Sequence, residues 1–386
     1  MSKLIYLDNA STTMISEYTL SAMMPYLTDK FGNPSAVCSR GQHEKKAVDN
    51  ARNIVANAIN AKSDEIYFTG SGTESVNWAI KSGVLLNEKK GNHIIISAIE
   101  HPAVMNTAKH LEANGCDVTY LAVDNFGHIS PDALRDAIRK DTVLISVMAA
   151  NNEIGTIQKV GEIGKIAREH NVLFHTDATQ AVGYVPIDVH NMNIDLMSFS
   201  GHKFGGTKGV GVLYMRKGIN LEPLIHGGGQ ERKKRSGTEN VAGIVALGAA
   251  LEDVMSRLPH AKTAELRDKL ITGVLQIPGT RLTGDPVNRL PGIASFVFEA
   301  VEGESILLML DNFGICGSSG SACSSGSLDP SHVLLAIGLS HEEAHGSLRL
   351  SLADFNTEDE IDFVLETLPK VIEKLRQMSP IWNGQN

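Results

Sequence analysis

Cysteine is scarce, with four residues in a chain of 386. So few in so long a chain exclude a disulfide-framed secreted scaffold. None forms a CxxC pair or has the Cys/His spacing of a structural zinc site. Positive charge is the minority sign: 35 Lys and Arg face 44 Asp and Glu, a formal charge of −9. That balance argues against nucleic acid or an acidic membrane as the main partner. No apolar run approaches the roughly 18 residues needed to span a bilayer. The opening residues, Met1 to Asp8, run straight into strand-like sequence, without the basic start and apolar stretch of a secretory signal. A soluble, cytoplasmic protein is the expectation. Internal repeats and low-complexity tracts are absent, and the densest basic patch, Arg232-Lys233-Lys234-Arg235, is too short to be a disordered tail.

What is present suffices for a conventional core: 42% of residues are apolar, and a chain this long needs no metal or disulfide staple. Length alone predicts about two domains, or one large α/β domain with a smaller one. From about residue 62 to 215, short apolar runs alternate with helical patterns. The runs are 65–69, 93–97, 143–148, 172–177, 196–199 and 210–214. They are β-branched or aromatic and lack strict alternation, as expected of strands covered on both faces. Helical patterns at 73–86, 103–113, 131–139 and 160–170 lie between them. The alternation predicts an α/β fold with a mainly parallel sheet wrapped by helices. After about residue 240 the pattern changes to long helices, an isolated strand at 293–298, a Gly/Ser-rich loop at 317–327 and a final helix near 358–377. This reads as a smaller α+β domain, with a boundary near residue 258.

Polar residues follow the strand-like runs in a consistent way. Gly70-Ser71-Gly72-Thr73 follows the first run, Glu100-His101 the second and Asn151-Asn152-Glu153 the third; Asp177 ends the fourth, with Gln180 beyond, and Ser200-Gly201-His202-Lys203 follows the fifth. Ligands of open parallel sheets bind outside the carboxyl ends of the strands, so five such ends together make a site. The Gly72-Thr73 turn reads equally as a phosphate cradle or a plain helix cap. It is neither a Walker A loop nor the dinucleotide glycine fingerprint. His101 reads as a structural helix-start residue or a ring-stacking one. A buried carboxylate such as Asp177 needs a partner, which a pyridinium nitrogen would supply. Lys203 sits in a glycine-dense turn where an amine can be desolvated for imine formation. An Asp and a Lys on successive strand ends also fit the partner and attachment points of pyridoxal phosphate.

Among the cysteines, Cys38 and Cys116 read as incidental, and Cys316, beside Ile315, as buried rather than reactive. Cys323 stands among glycines and serines, a composition expected to be mobile and exposed. It fits a flexible linker, or equally a nucleophilic thiol on a moving arm.

Taken together, these residues resemble the pyridoxal-phosphate-dependent cysteine desulfurases of the NifS/IscS-like group, within the class-V aminotransferase family. The motifs run nearly end to end: Leu7-Asp8-Asn9 with Thr12-Thr13, Phe31-Gly32-Asn33-Pro34-Ser35, Gly72-Thr73-Glu74-Ser75, Glu100-His101-Pro102, Asn151-Asn152-Glu153, His175-Thr176-Asp177, Ser200-Gly201-His202-Lys203, Gly227-Gly228-Gly229-Gln230-Glu231-Arg232, Arg235-Ser236-Gly237-Thr238-Glu239-Asn240 and the Ser318-to-Ser327 loop. Ala10-Ser11 departs from the family, which usually has Ala before two threonines. Thr238-Glu239-Asn240 leans towards the NifS side.

The resemblance implies the pyridoxal phosphate fold type I, with 16–257 as the large cofactor-binding domain and 1–15 plus 258–386 as the small domain carrying the Cys323 loop. It implies a homodimer in which Lys203 carries the cofactor. Gly72, Thr73, Ser200 and His202 would hold the phosphate, with Thr238 reaching across from the neighbouring subunit. Asp177 would pair with the pyridine nitrogen, Gln180 with the ring oxygen, and His101 would stack on the ring. Asn152 and Arg349 would hold the substrate carboxylate, with Asn33 a further candidate. Cys323 would form the persulfide. L-Cysteine is the implied substrate, L-alanine the product, and a sulfur-acceptor protein such as an iron–sulfur scaffold the implied partner. No resident metal is implied, although Cys323 would suit a transient iron–sulfur ligand. Two rivals remain at this point: a selenocysteine lyase on the same fold, and a non-catalytic sulfur-carrier or scaffold protein.

Overall fold

A computed structural model describes residues 4–320 and 330–382. The chain forms twelve strands among its described residues. They are β1 (Ile5–Tyr6), β2 (Ile66–Thr69), β3 (His93–Ser97), β4 (Asp117–Leu121), β5 (Thr142–Ser146), β6 (Leu173–Asp177), β7 (Leu196–Ser200), β8 (Gly211–Met215), β9 (Thr280–Leu282), β10 (Ile293–Phe298), β11 (Ile315–Cys316) and β12 (Ser347–Ser351).

Seven of them form one sheet in the order β2-β8-β7-β6-β5-β3-β4. Pairing is parallel from β7 through β4, and β8 alone runs against its two neighbours. The mainly parallel α/β architecture read from the sequence is therefore correct. Strands β3, β5, β7 and β8 are buried at every position, which is why they read as unbroken apolar runs. The helix Val160–Glu169 shows the complementary pattern, burying Ile163, Ile166 and Ala167 and exposing Glu162, Lys165 and Glu169.

A second, three-stranded antiparallel sheet has the order β12-β10-β9. It packs on the helices Ala261–Val274 and Glu358–Met378 around its own core of Phe296, Leu348, Leu350, Ile361 and Leu368. The start of the chain joins this part of the molecule. β1 pairs in parallel with β11, Ile5 opposite Ile315, and Ile5 and Leu7 bury in the same core.

The chain order decides where a crevice opens. β3 leads to β4 on its outer side, and the chain then returns over β3 to β5 before continuing away through β6 and β7. Strand order reverses between β3 and β5, the point at which open sheets bind ligands. Five strand exits meet there, and one close approach depends on glycine. A Cβ on Gly211 would lie 2.3 Å from the carbonyl carbon of Ser71, so only glycine lets β8 run beneath the turn that leaves β2.

Candidate active site

At the carboxyl edge of the large sheet lies a cavity of about 250 Å³, lined among others by Gly72, Thr73, His101, Asn152, Asp177, Gln180, Ser200, His202, Lys203 and Arg349. Ten of the residues singled out from the sequence thus surround one space. Asn33 does not line it; it is exposed, and its Oδ1 accepts from the Ser35 amide at 2.9 Å. Thr238 is exposed and lines a separate cavity of about 170 Å³ with Gly70 and Arg235. Cys323 lies outside the described residues.

One wall is the start of the helix Gly72–Leu86. Ser71 caps it by accepting the Glu74 amide at 3.1 Å, so the cap and the cradle belong to neighbouring residues rather than being rival readings of one. First-turn N–H groups have no partner within a helix and carry partial positive charge, which favours an anion. Gly72 is tightly enclosed: a Cβ there would sit 3.3 Å from Ser200 Cβ and 3.4 Å from Thr179 Oγ1. Both neighbours line the cavity, so a side chain at position 72 would press into the space the anion needs.

Lys203 follows β7 in a short helical turn, Gly201–Lys203. Its Nζ donates to the carbonyls of Ala10 and Ser11, both at 2.8 Å, which aims the amine across the cavity. Asp177 ends β6 and is 5% exposed, its Oδ1 accepting from the Thr179 amide at 3.0 Å. Below it in the same strand, His175 is wholly buried between the Ser146 and Ser198 hydroxyls. Burial pushes His175 down to about 4, Asp177 opposing, so the ring beneath Asp177 is neutral at physiological pH.

His101 caps the helix Pro102–Ala113, its Nδ1 accepting from the Ala103 amide at 3.1 Å. The structural reading of this residue is met, and its side chain also lines the cavity. With Nδ1 occupied as an acceptor, the neutral ring carries its proton on Nε2. Burial lowers its pKa, with Asp177 opposing and Lys203 and His332 adding to the decrease. His202 contacts Thr12 Oγ1 at 3.2 Å through Nδ1 and is driven down to about 4 by burial, with Lys203 and Lys208 contributing.

Arg349 enters from β12 and is 3% exposed. It donates at 2.8 Å to the Asn152 carbonyl, to Asp8 Oδ1 and to the Ser11 hydroxyl, while its buried Nε lacks a hydrogen-bond partner among the described residues. Ala10 and Ser11, noted in the sequence only as a departure from a family pattern, thus hold Lys203 and touch Arg349. Backbone carbonyls carry no side-chain signature, so nothing in the sequence marked them. Arg349 did carry a signal of its own, as a lone charge at the centre of the buried strand Ser347–Ser351.

Comparisons with known proteins agree with this geometry. A family model for class-V aminotransferases matches residues 5–364. The chain is 54% identical to the cysteine desulfurase IscS of Methanosarcina thermophila over 381 residues, covering 98% of this chain and 94% of that protein. It is likewise 54% identical to the cysteine desulfurase IscS of Clostridium botulinum (strain Hall) over 387 residues, covering 99% and 98%.

The chain belongs to the cysteine desulfurases of the class-V aminotransferase family.

Among solved structures, a NifS-like protein superposes with a TM-score of 0.91 at 37% identity, over 96% of this chain and all (100%) of the other. SspA in complex with cysteine superposes at 0.82 and 38%, over 92% of this chain and 100% of that one. The fold is therefore that of the pyridoxal phosphate fold type I enzymes, and cysteine desulfurases depend on that cofactor. The residues of the cavity fit it: a helix start for a phosphate, a buried carboxylate for a pyridine nitrogen, and an amine for an aldehyde. Among the described residues no helix is long and apolar enough to cross a membrane, and no group of three or more His, Cys, Asp or Glu could hold a metal ion.

Proposed function

We propose that this cavity converts L-cysteine to L-alanine and passes the sulfur to Cys323 as a persulfide. The observation that carries the reading is the convergence of the Lys203 amine, the Asp177 carboxylate, the start of the helix Gly72–Leu86 and the Arg349 guanidinium on one cavity. Bound pyridoxal phosphate supplies an electron sink for the substrate's α-carbon, chemistry that side chains lack. The chain supplies everything else. Thr73, Ser200 and neutral His202 would donate to the phosphate, together with the first N–H groups of the helix. Asp177 would hold the proton on the pyridine nitrogen, Gln180 would bond the ring oxygen and His101 would stack on the ring, all three lining the cavity.

Substrate carboxylate docks on Arg349 and beside Asn152, both of which line the cavity. Lys203 Nζ, the amine that would carry the cofactor at rest, would serve as the base for the substrate's α-proton. Cys323 thiolate then attacks the substrate sulfur. The carbon–sulfur bond breaks, its electron pair stays with the carbon fragment, and that fragment gains protons to leave as alanine. His101 Nε2–H is the proton donor on the ring side of the cavity. A homodimer is part of this reading, and the position of Thr238, exposed and outside its own chain's main cavity, suits a residue that would complete the neighbour's phosphate site. The large and small domains divide near residue 258, which sets Arg349 and Cys323 on one domain and Lys203 and Asp177 on the other.

Reduction with borohydride followed by peptide mapping tests the attachment point. The reduced cofactor is expected on the peptide containing Lys203. Recovery on Lys208, exposed five residues further on, would overturn the assignment.

A further inference from the structure

Glu100 is a fully buried acid that the chemistry above does not use. It lies one residue before His101 and is 0% exposed. Its Oε1 accepts from the Ser97 hydroxyl at 2.5 Å and from the Met148 amide at 2.7 Å. Its backbone carbonyl faces His332 Nε2 at 2.9 Å, in the helix His332–Ala336 of the small domain. Its Oε2 is enclosed without a hydrogen-bond partner among the described residues.

The position matters as much as the bonds. Ser97 is the last residue of β3, and Met148 lies just beyond β5. These are the two adjacent strands between which the order of the sheet reverses, so the Glu100 carboxyl spans the floor of the ligand crevice. Each side it joins carries a residue of the cavity, His101 on one and Met148 on the other.

We propose that Glu100 is a positioning residue for the desulfurase reaction: an uncharged carboxyl that ties the exits of β3 and β5 together and so sets His101 in the cavity. A charged carboxyl there would leave a bare oxygen in a dry interior, which is strongly unfavourable without a paired cation. The groups facing it offer none. Ser97 comes from β3, the Met148 amide from beyond β5, His332 meets only the backbone carbonyl, and Asp177 acts from β6 with the same sign of charge. In accord with this, burial pushes Glu100 up to about 8, Asp177 adding to the rise while the Ser97 and Met148 hydrogen bonds oppose it. Ionisation above that pH sets a second negative charge near Asp177 and strains the link between the strands.

The inference rests on the desulfurase reading, so its test has one arm that needs no turnover. In the infrared difference between the wild-type protein and Glu100→Gln, a protonated-carboxyl C=O band is expected at pH 7, disappearing with a midpoint near 8. In the kinetic arm, Glu100→Ala is expected to lower kcat about 10- to 100-fold through misplacement of His101, with KM little changed. Glu100→Gln, which keeps an uncharged acceptor, is expected to restore most of that loss. The ratio of wild-type to Gln kcat should then decline with a midpoint near pH 8. Absence of the band at pH 7, or a Gln variant as slow as Ala, would overturn the proposal. Presence of the band in a protein that makes no alanine from cysteine would instead condemn the desulfurase reading while upholding the uncharged Glu100.

Discussion

Cys323→Ser is expected to lower alanine formation from L-cysteine by on the order of 10³-fold or more, the scale seen when a nucleophile is removed from a unit that acts together. The cofactor should stay bound and cysteine should still enter, because Lys203, Asp177 and the helix start of the phosphate site are untouched. The reason is chemical: sulfur is attacked by thiolate, and an alcohol of similar size is a poor substitute. The remaining cysteines do not offer a replacement. Cys316 is paired within β11 opposite Tyr6, and burial, with Asp311 and Asp8 adding, pushes its thiol up. Burial likewise raises Cys116, and Cys38 is exposed at the start of the helix Ser39–Ala58. Cys316→Ser should therefore leave turnover within about twofold and alter stability at most, as partly buried substitutions usually do. The measurement is alanine release at saturating cysteine; loss in Cys316→Ser with retention in Cys323→Ser would contradict the assignment.

Lys203→Ala is expected to have an effect at least as large. Among the residues lining the cavity it is the sole lysine, and its two carbonyl bonds hold the amine in place. On the proposed assignment, removing it deletes both the attachment point and the base for the α-proton. General base action alone contributes about 10²- to 10⁴-fold, so residual activity should fall below that range. Lys208→Ala, at an exposed turn position, should retain normal turnover. Single-turnover alanine formation with added cofactor distinguishes them, and a Lys203→Ala protein active to within tenfold of the wild type would contradict the proposed role.

How much of this was legible beforehand depended on whether the cause was local. Strands β3, β5, β6, β7 and β8 announced themselves because burial on both faces demands uninterrupted apolar sequence. β4, Asp117-Val118-Thr119-Tyr120-Leu121, escaped because it is the sheet's outer strand, largely half-buried, and admits polar residues. The opening residues read as strand-like and do form β1, but β11 is two residues long, carries no periodicity and is defined by its pairing with β1, Ile5 with Ile315. The site residues that follow strands were visible from that placement alone. The role of the Ala10 and Ser11 carbonyls was not, since it arises from backbone brought in by the distant pairing of β1.

Buried charges show the same divide. Arg349 and Glu100 each stand where the surrounding sequence leaves no solvent, and an isolated charge in such a setting calls for a partner. That signal says only that something must be found. Arg349 turns out to be bonded to Asp8 and Ser11, whereas the Glu100 carboxyl accepts from Ser97 and Met148 and has no cation bonded to it among the described residues. Partners of this kind are separated by as much as 341 residues of chain, and only the folded topology specifies them.

The central claim is that sulfur leaves cysteine onto a cysteine of this chain while the carbon skeleton departs as alanine. It is tested most directly by a single turnover of the purified holoenzyme with sulfur-labelled L-cysteine and no reductant, followed by quantification of products and mapping of the label. The account predicts one alanine for each labelled sulfur bound, with the label on the peptide carrying Cys323. Pyruvate in place of alanine, or label on Cys316 with Cys323 unmodified, would contradict it.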